Sequence, residues 1–108
     1  MWNIDPALMC DHHLLAEHLE MHMFAGALRR GKSLRGYLDG GLVEVHNIRR
    51  RHDALASEMA RRGMRHRTPL EWNAPEPGGR VDRQRSRREL LERCARCRAR
   101  AEEAGRGR

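Results

Sequence analysis

Residues 10–30 concentrate side chains that can do chemistry. This stretch, CDHHLLAEHLEMHMFAGALRR, holds four of the seven histidines and two glutamates three residues apart. Because residues three and four apart share a helix face, one face would carry His13, Glu17, Glu20 and Phe24. A carboxylate in a partly apolar pocket can act as a general acid or base near neutral pH. The residues alone leave two interpretations open. This face could line an active site, or it could carry two solvated glutamates on an amphipathic helix.

The spacing of histidines and cysteines allows two metal sites. His18 and His22 are four residues apart, as metal ligands on a helix often are, but the sequence has no HExxH motif. Cys94 and Cys97 form a CxxC pair, which Cys10 and one histidine would complete as a Cys₃His zinc site. Both tail cysteines also fall on a predicted apolar stripe, where free cysteine behaves as a small hydrophobic residue. An odd number of cysteines does not describe a disulfide framework and suits a reducing compartment.

Positive charge is concentrated at the C-terminal end of the chain. Residues 80–108 contain eleven arginines and five acidic residues, a net charge of +6, whereas residues 1–79 carry +1. All but one of the 22 basic residues are arginine, whose guanidinium donors match phosphate oxygens, so we expect a nucleic acid partner. No apolar run is long enough to span a membrane, and the start of the chain does not resemble a signal peptide. We therefore expect a cytoplasmic protein without a membrane partner.

The apolar pattern predicts an all-α fold, a compact single domain over residues 1–108 with three main helices and long connecting loops. The helices are expected at residues 11–30, 42–62 and 86–104. The first is apolar on most sides, which is typical of a central helix wrapped by the others. Glycine and proline place loops at residues 31–41 and 68–79.

Local signals mark the ends of these helices. Gly31 and Gly63 are expected as C-caps of the first two helices. In SRRE, Ser86 and Glu89 have the spacing of a capping box, which predicts that the basic C-terminal helix begins there.

The segment DHHLLAEHLEMHMFAGALRRGKSLRGY resembles the central helix and following loop of the pyrimidine-dimer DNA glycosylase and abasic-site lyase family, of the phage endonuclease V type. The turn MFAGALRR, the GK with nearby Arg35, and SEMARRG at the end of the second helix are similar to that family as well. The stretches RRHDALASEMARRGMRHRTPL and LLERCARCR resemble its short cellular members. The likeness extends from residue 3 to about residue 70 and includes part of the tail.

This resemblance implies a mechanism and the groups that carry it. In the family, the amine at the chain's own N-terminus attacks the sugar C1′ of the damaged nucleotide, and a central-helix glutamate stabilises the developing cation. The matching groups here are the amine of Met1 and the carboxylate of Glu20. α-Amines ordinarily have a pKa of about 7.7–8.0, so an appreciable fraction is neutral near pH 7.5. The resemblance implies no metal and no cofactor.

The same resemblance implies a set of substrate-binding residues. His13 corresponds to a histidine near the lesion, and with Glu17 it would shape the pocket. The residues expected to bind phosphates are Arg29, Arg30 and Arg35, together with the arginines of the C-terminal tail. Leu19 and Met23 stand where the helix of the phage enzyme has two arginines.

We therefore predict a DNA repair N-glycosylase with associated β-lyase activity on UV-induced pyrimidine dimers. Its partner would be double-stranded DNA with damaged bases, bound by a monomer. Two alternatives remain open. One is a non-catalytic, arginine-rich nucleic-acid-binding protein, and the other is a small zinc-binding protein that uses Cys10, Cys94 and Cys97.

Overall fold

Residues 1–65 and 68–106, which a computed structural model describes, form helices joined by loops, and no strand occurs in these residues. The α-helices are α1 (Asp11–Arg29), α2 (Arg35–Asp39), α3 (Ile48–Arg61), α4 (Arg83–Arg93) and α5 (Ala95–Arg106). Single 3-10 turns at Pro6–Leu8 and Val45–Asn47 precede α1 and α3. The predicted all-α class is confirmed. Residues 66, 67, 107 and 108 of the predicted single domain lie outside the described residues.

The core forms where α1 packs against α3, and where α5 packs against α4 and against the 3-10 turn at Pro6–Leu8. Leu14 and Phe24 of α1, Leu55 of α3, Leu90 of α4 and Cys97 of α5 are all fully buried. Burying a side chain as large as leucine or phenylalanine contributes about 1.5–3 kcal/mol. These contacts hold the two ends of the chain together. None of the described helices is both long enough and apolar enough to cross a membrane.

One face of α1 is not covered by any other helix. Leu15, Leu19 and Met23 are 41%, 56% and 44% exposed and form an apolar ridge along the helix. The expectation that the other helices wrap α1 on most sides is therefore wrong for this face. Hydrophobicity alone could not show it, because an apolar side chain that faces a partner or substrate looks the same in sequence as one in the core.

The predicted glycine caps of the first two long helices are confirmed. Gly31 and Gly63 have φ angles of +72° and +76°, a left-handed conformation that glycine adopts without steric cost. Lys32 N–H donates to the Ala27 carbonyl at 2.9 Å, which closes the last turn of α1.

The second long helix begins later than its sequence predicts, at Ile48 rather than residue 42. The Glu44 carboxylate accepts hydrogen bonds from the Asn47 side chain at 2.7 Å and from Val81 N–H at 2.8 Å. Val45 N–H donates to the Gly78 carbonyl at 2.7 Å. These bonds to the loop before α4 hold the segment out of the helix. The short helix α2 was likewise not predicted within the glycine-rich loop.

The third predicted helix also differs from its sequence prediction. It begins at Arg83, because the Asp82 side chain caps it by accepting from Arg85 N–H at 3.0 Å. Ser86 is buried inside α4, so the expected capping box with Glu89 does not form. The chain then becomes extended at Cys94, with φ −117° and ψ 107°, which divides the predicted helix into α4 and α5.

Candidate functional site

The amine at the start of the chain lies against α1. The Met1 amine donates to the Leu42 carbonyl at 2.9 Å and forms an ion pair with the Glu20 carboxylate. The Met1 side chain is fully buried, whereas that of Glu20 remains 31% exposed. The carboxylate therefore connects the enclosed amine with solvent.

Three contacts fix the residues that follow the amine. Trp2 N–H donates to Glu17 Oε1 at 3.1 Å, and the Trp2 carbonyl accepts a hydrogen bond from the Ser86 hydroxyl of α4. Asn3 has a φ of +58°, a conformation that asparagine tolerates better than most residues, and its amide donates to Glu44 at 3.2 Å. The first residues are thus anchored to α1, to α4 and to the segment before α3.

Glu17 forms a buried ion pair with Arg51, which the sequence analysis missed. The Arg51 guanidinium donates to both Glu17 oxygens and also to the Ile4 carbonyl, and both side chains are almost fully buried. Paired, hydrogen-bonded charges of this kind hold a definite geometry. The sequence contained one indication that Arg51 is buried. Arg51 lies three residues after Ile48 and four before Leu55, on the buried stripe of α3.

The structure thus brings together the two residues that the family resemblance gave catalytic roles, Met1 and Glu20. Glu17 lies on the neighbouring buried side of the same helix and supports the chain start through Trp2. Their roles in a reaction stay predictions.

The predicted phosphate-binding arginines lie at the far end of α1 and in α2. Arg29, Arg30 and Arg35 are exposed. Arg29 donates to the Glu71 carbonyl at 3.3 Å, and Arg35 lies 3.7 Å from the Asp39 carboxylate. At 1.5 Å per residue, Arg29 is about 14 Å along the helix from Glu20. A few nucleotides of DNA span the same distance. Their contact with DNA stays a prediction.

His13 lies with the cysteines rather than with Glu20. Its Nδ1 is 3.3 Å from Cys10 Sγ and 3.7 Å from Cys97 Sγ, and Cys10 Sγ is 3.9 Å from Cys94 Sγ. Burial lowers the pKa of His13, and the charge of neighbouring His12 lowers it further. The imidazole is therefore mainly neutral near pH 7. Its predicted place near the lesion stays untested.

The other histidine pair on α1 meets a third histidine from α3. The ring centroid of His52 lies 4.8 Å from those of His18 and His22. Both ring nitrogens of His52 are within hydrogen-bond distance of protein oxygens, Asp53 Oδ1 at 2.9 Å and the Thr68 carbonyl at 3.2 Å. His18, His22 and His52 each offer one ring nitrogen within 4.8 Å of those of the other two, so this cluster could also hold a metal ion.

A basic cleft of about 660 Å³ opens between the chain start, α3 and the tail helices. Its lining includes Asn3 and Ile4 but neither Met1 nor Glu20. Four arginines from two helices are among the lining residues, Arg50 and Arg51 of α3 and Arg83 and Arg87 of α4, and the guanidinium of Arg51 is already paired with Glu17. The cleft therefore offers a surface for phosphate next to the anchored chain start.

The fold and the site define a small, basic, all-helical protein that holds an amine–carboxylate pair beside its central helix. The family model described as pyrimidine dimer DNA glycosylase matches residues 1–72, two thirds of the chain, and the chain belongs to this family. The resemblance stated from the sequence is thereby confirmed. The matched region contains Met1 and Glu20 and ends before α4. Comparisons with curated proteins and with solved structures give no significant match.

Proposed function

We propose that this protein is a DNA N-glycosylase with associated β-lyase activity that acts on UV-induced pyrimidine dimers in double-stranded DNA. The observation that carries the proposal is the ion pair between the Met1 amine and Glu20, within the region that matches the family. Family membership supports the substrate, and the ion pair supports the choice of nucleophile and of its partner.

The first step forms a bond between the amine and the sugar. Glu20 takes a proton from the Met1 ammonium group and releases it to solvent, which restores the carboxylate, and the neutral amine attacks C1′ of the damaged nucleotide. The C1′–N glycosidic bond breaks, and its electron pair leaves with the base. The carboxylate next to the amine stabilises the positive charge that develops on the sugar.

The second step cleaves the strand. A proton then moves from the new C1′–ammonium group to O4′ as the C1′–O4′ bond breaks, which opens the sugar and gives a protonated imine between C1′ and the amine. A base, for which Glu20 is the nearest candidate, removes a proton from C2′, and the C3′–O bond breaks with departure of the 3′ phosphate. Water then hydrolyses the imine and releases the amine.

Access to C1′ requires the duplex to open at the lesion. Damaged or mispaired nucleotides are less costly to extrude than intact pairs. The apolar ridge, Leu15, Leu19 and Met23, lies beside Glu20 on the exposed side of α1. Proteins that kink DNA often insert apolar side chains between base steps. We infer that the ridge contacts bases at the distorted site while arginines hold the phosphates.

Covalent trapping tests the chemistry directly. Borohydride should reduce the imine on dimer-containing or abasic duplex, and peptide mapping should place the adduct on the Met1 amine. An intact-mass measurement establishes first that the purified chain begins at Met1. A version with a few residues added before Met1 displaces the amine from Glu20, so trapping should be lost while DNA affinity is kept.

The alternatives give different results in the same assay. An adduct on Lys32, the only lysine, would identify another nucleophile. Undiminished trapping by the extended version would also contradict the role of Met1. Binding to damaged duplex without cleavage or trapping would favour the non-catalytic nucleic-acid-binding alternative.

A further inference from the structure

Four metal-ligand side chains converge where the start of α1 meets the junction of α4 and α5. Cys10, His13, Cys94 and Cys97 each offer one ligand atom, and all four atoms lie within 4.8 Å of one another. The sequence separates the two pairs by 80 residues, but within each pair the spacing is the same: C-x₂-H in the first and C-x₂-C in the second. The proposed glycosylase chemistry does not use this cluster.

The distances match those within a tetrahedral zinc centre. Zn–S bonds of about 2.3 Å and Zn–N bonds of about 2.0–2.1 Å place two sulfurs about 3.8 Å apart and a sulfur and nitrogen about 3.6 Å apart. The Cys10–Cys94 sulfur distance is 3.9 Å. The His13 Nδ1 atom lies 3.3 Å from Cys10 Sγ and 3.7 Å from Cys97 Sγ. A small rearrangement around a metal ion would satisfy all three separations.

Backbone N–H groups at both helix starts donate to sulfurs of the cluster. Cys10 N–H points at Cys97 Sγ at 3.2 Å, and Cys97 N–H at Cys94 Sγ at 3.4 Å. Each ligand pair occupies the start of a long helix, α1 or α5, where the helix dipole is positive. Hydrogen bonds of this kind orient and stabilise the ligands of a metal site.

Hydrophobic packing explains this arrangement of cysteines and histidine less well than a bound metal ion does. Cys97 is fully buried, and Cys10 is 5% exposed, as expected for inert core cysteines. Packing alone, however, gives no reason for an imidazole nitrogen to face two sulfurs or for α4 to end at Cys94. A shared metal ion explains both features.

We propose that Cys10, His13, Cys94 and Cys97 together bind one zinc ion in a structural site. Three thiolates and one imidazole form a ligand set typical of tetrahedral zinc, and four protein ligands leave no open position for catalysis. The ion would join α1, in the family-matched region, to the tail helices beyond it. His13 also packs edge-on against Trp2 at 6.2 Å, so the same ion would steady the residue next to the reactive amine.

Metal analysis of matched variants tests the ligand set. The purified protein should contain one zinc per chain, and Cys94→Ser and His13→Asn should each reduce bound zinc several-fold or more. His12→Asn is the control, because His12 is the exposed neighbour of His13 and lies outside the cluster. Zinc retained in full by Cys94→Ser, or lost equally in His12→Asn, would overturn the assignment.

The unmodified protein provides a test that does not depend on whether variants fold. After chelation, cobalt titration should saturate at one equivalent with the intense visible bands of tetrahedral thiolate ligation. Zinc should then displace the cobalt, protect all three thiols from a thiol reagent and raise the melting temperature. Failure of the metal-free protein to bind cobalt or zinc would overturn the proposal. A Cys10–Cys94 disulfide in protein purified without oxidant would also overturn it.

Discussion

Two glutamates on one helix, three residues apart, occupy very different surroundings. Glu17 is 3% exposed and is held by the guanidinium of Arg51, which reaches it from α3. The Glu20 side chain is 31% exposed and is paired with the Met1 amine. Both carboxylates contact the first two residues of the chain, one through Trp2 N–H and the other through the amine itself.

The difference lies in what each partner can do. A guanidinium group stays protonated, so the Glu17 pair is fixed and acts as an anchor. An amine can lose its proton and become a nucleophile, so the Glu20 pair can enter a reaction. In the proposed mechanism, one turn of helix therefore separates a structural carboxylate from a reactive one, and the first positions the partner of the second.

The largest expected effect is on Glu20. Glu20→Gln removes the proton acceptor and the stabilising charge, so cleavage of dimer-containing duplex should fall by about 10²–10⁴-fold. DNA affinity and the urea midpoint should stay within error, because the side chain is partly exposed. Glu103→Gln on α5 is the exposed control and should leave activity unchanged. Wild-type turnover by Glu20→Gln would remove this carboxylate from the mechanism.

Glu17→Gln should have its main effect on stability. It leaves the buried Arg51 charge without its counterion, and breaking a buried ion pair costs about 3–5 kcal/mol. Urea denaturation measures this loss. The double variant Glu17→Gln/Arg51→Met should recover part of it, because the unpaired buried charge is gone. Loss of activity per folded molecule as large as for Glu20→Gln, with stability unchanged, would contradict the structural role of Glu17.

The sequence was sufficient to predict the parts of the fold that local signals determine. The apolar pattern and the caps at Gly31 and Gly63 correctly predict the start of α1 and the ends of α1 and α3. The all-α class follows from the same pattern. These features depend on residues within one or two turns of each other.

Features that depend on distant contacts could not be predicted. The delayed start of α3 requires Val81 to donate to Glu44, 37 residues earlier. Arg51 belongs to the run RRR, which looks solvent-exposed until Glu17 is placed opposite it. The pairing of Glu20 with Met1 was implied by the family resemblance, not by spacing, because nothing local places the chain start on α1.

Glu58 is a third carboxylate bound by arginine, and its contribution to stability depends on pH. Hydrogen bonds from Arg61, together with Arg62 and opposed by burial, lower the pKa of Glu58 from 4.5 to about 2. Because the folded pKa is depressed, the stabilisation is complete above pH 4.5 and is lost as the pH falls towards 2. Glu58→Gln should therefore destabilise the protein by about 1–2 kcal/mol at pH 7 and progressively less below pH 4.5.

Urea denaturation of the wild type and of Glu58→Gln between pH 7 and pH 3 measures how the difference in their stability changes with pH. A gap between wild type and Glu58→Gln that stays constant from pH 7 to pH 3 would show that the carboxylate charge is not the cause. Glu58, unlike Glu17, would then owe its effect to packing. A stability difference that disappears as the pH falls would show that Glu58 acts, as Glu17 does, through its charge pairing with arginine.

The smallest expected effect concerns the surface next to Glu20. Leu19 is 56% exposed at the centre of the apolar ridge, so Leu19→Gln removes apolar contact area without opening a cavity in the core. If the ridge touches unstacked bases, affinity for dimer-containing duplex should fall by about 1 kcal/mol, roughly fivefold, with little change for intact duplex. Ala60→Gln, at an exposed site on α3, is the control. Titration of both duplexes at one salt concentration separates the outcomes. An equal loss of affinity for damaged and intact duplex would mean that the ridge does not recognise the lesion. Recognition near Glu20 would then depend on other side chains.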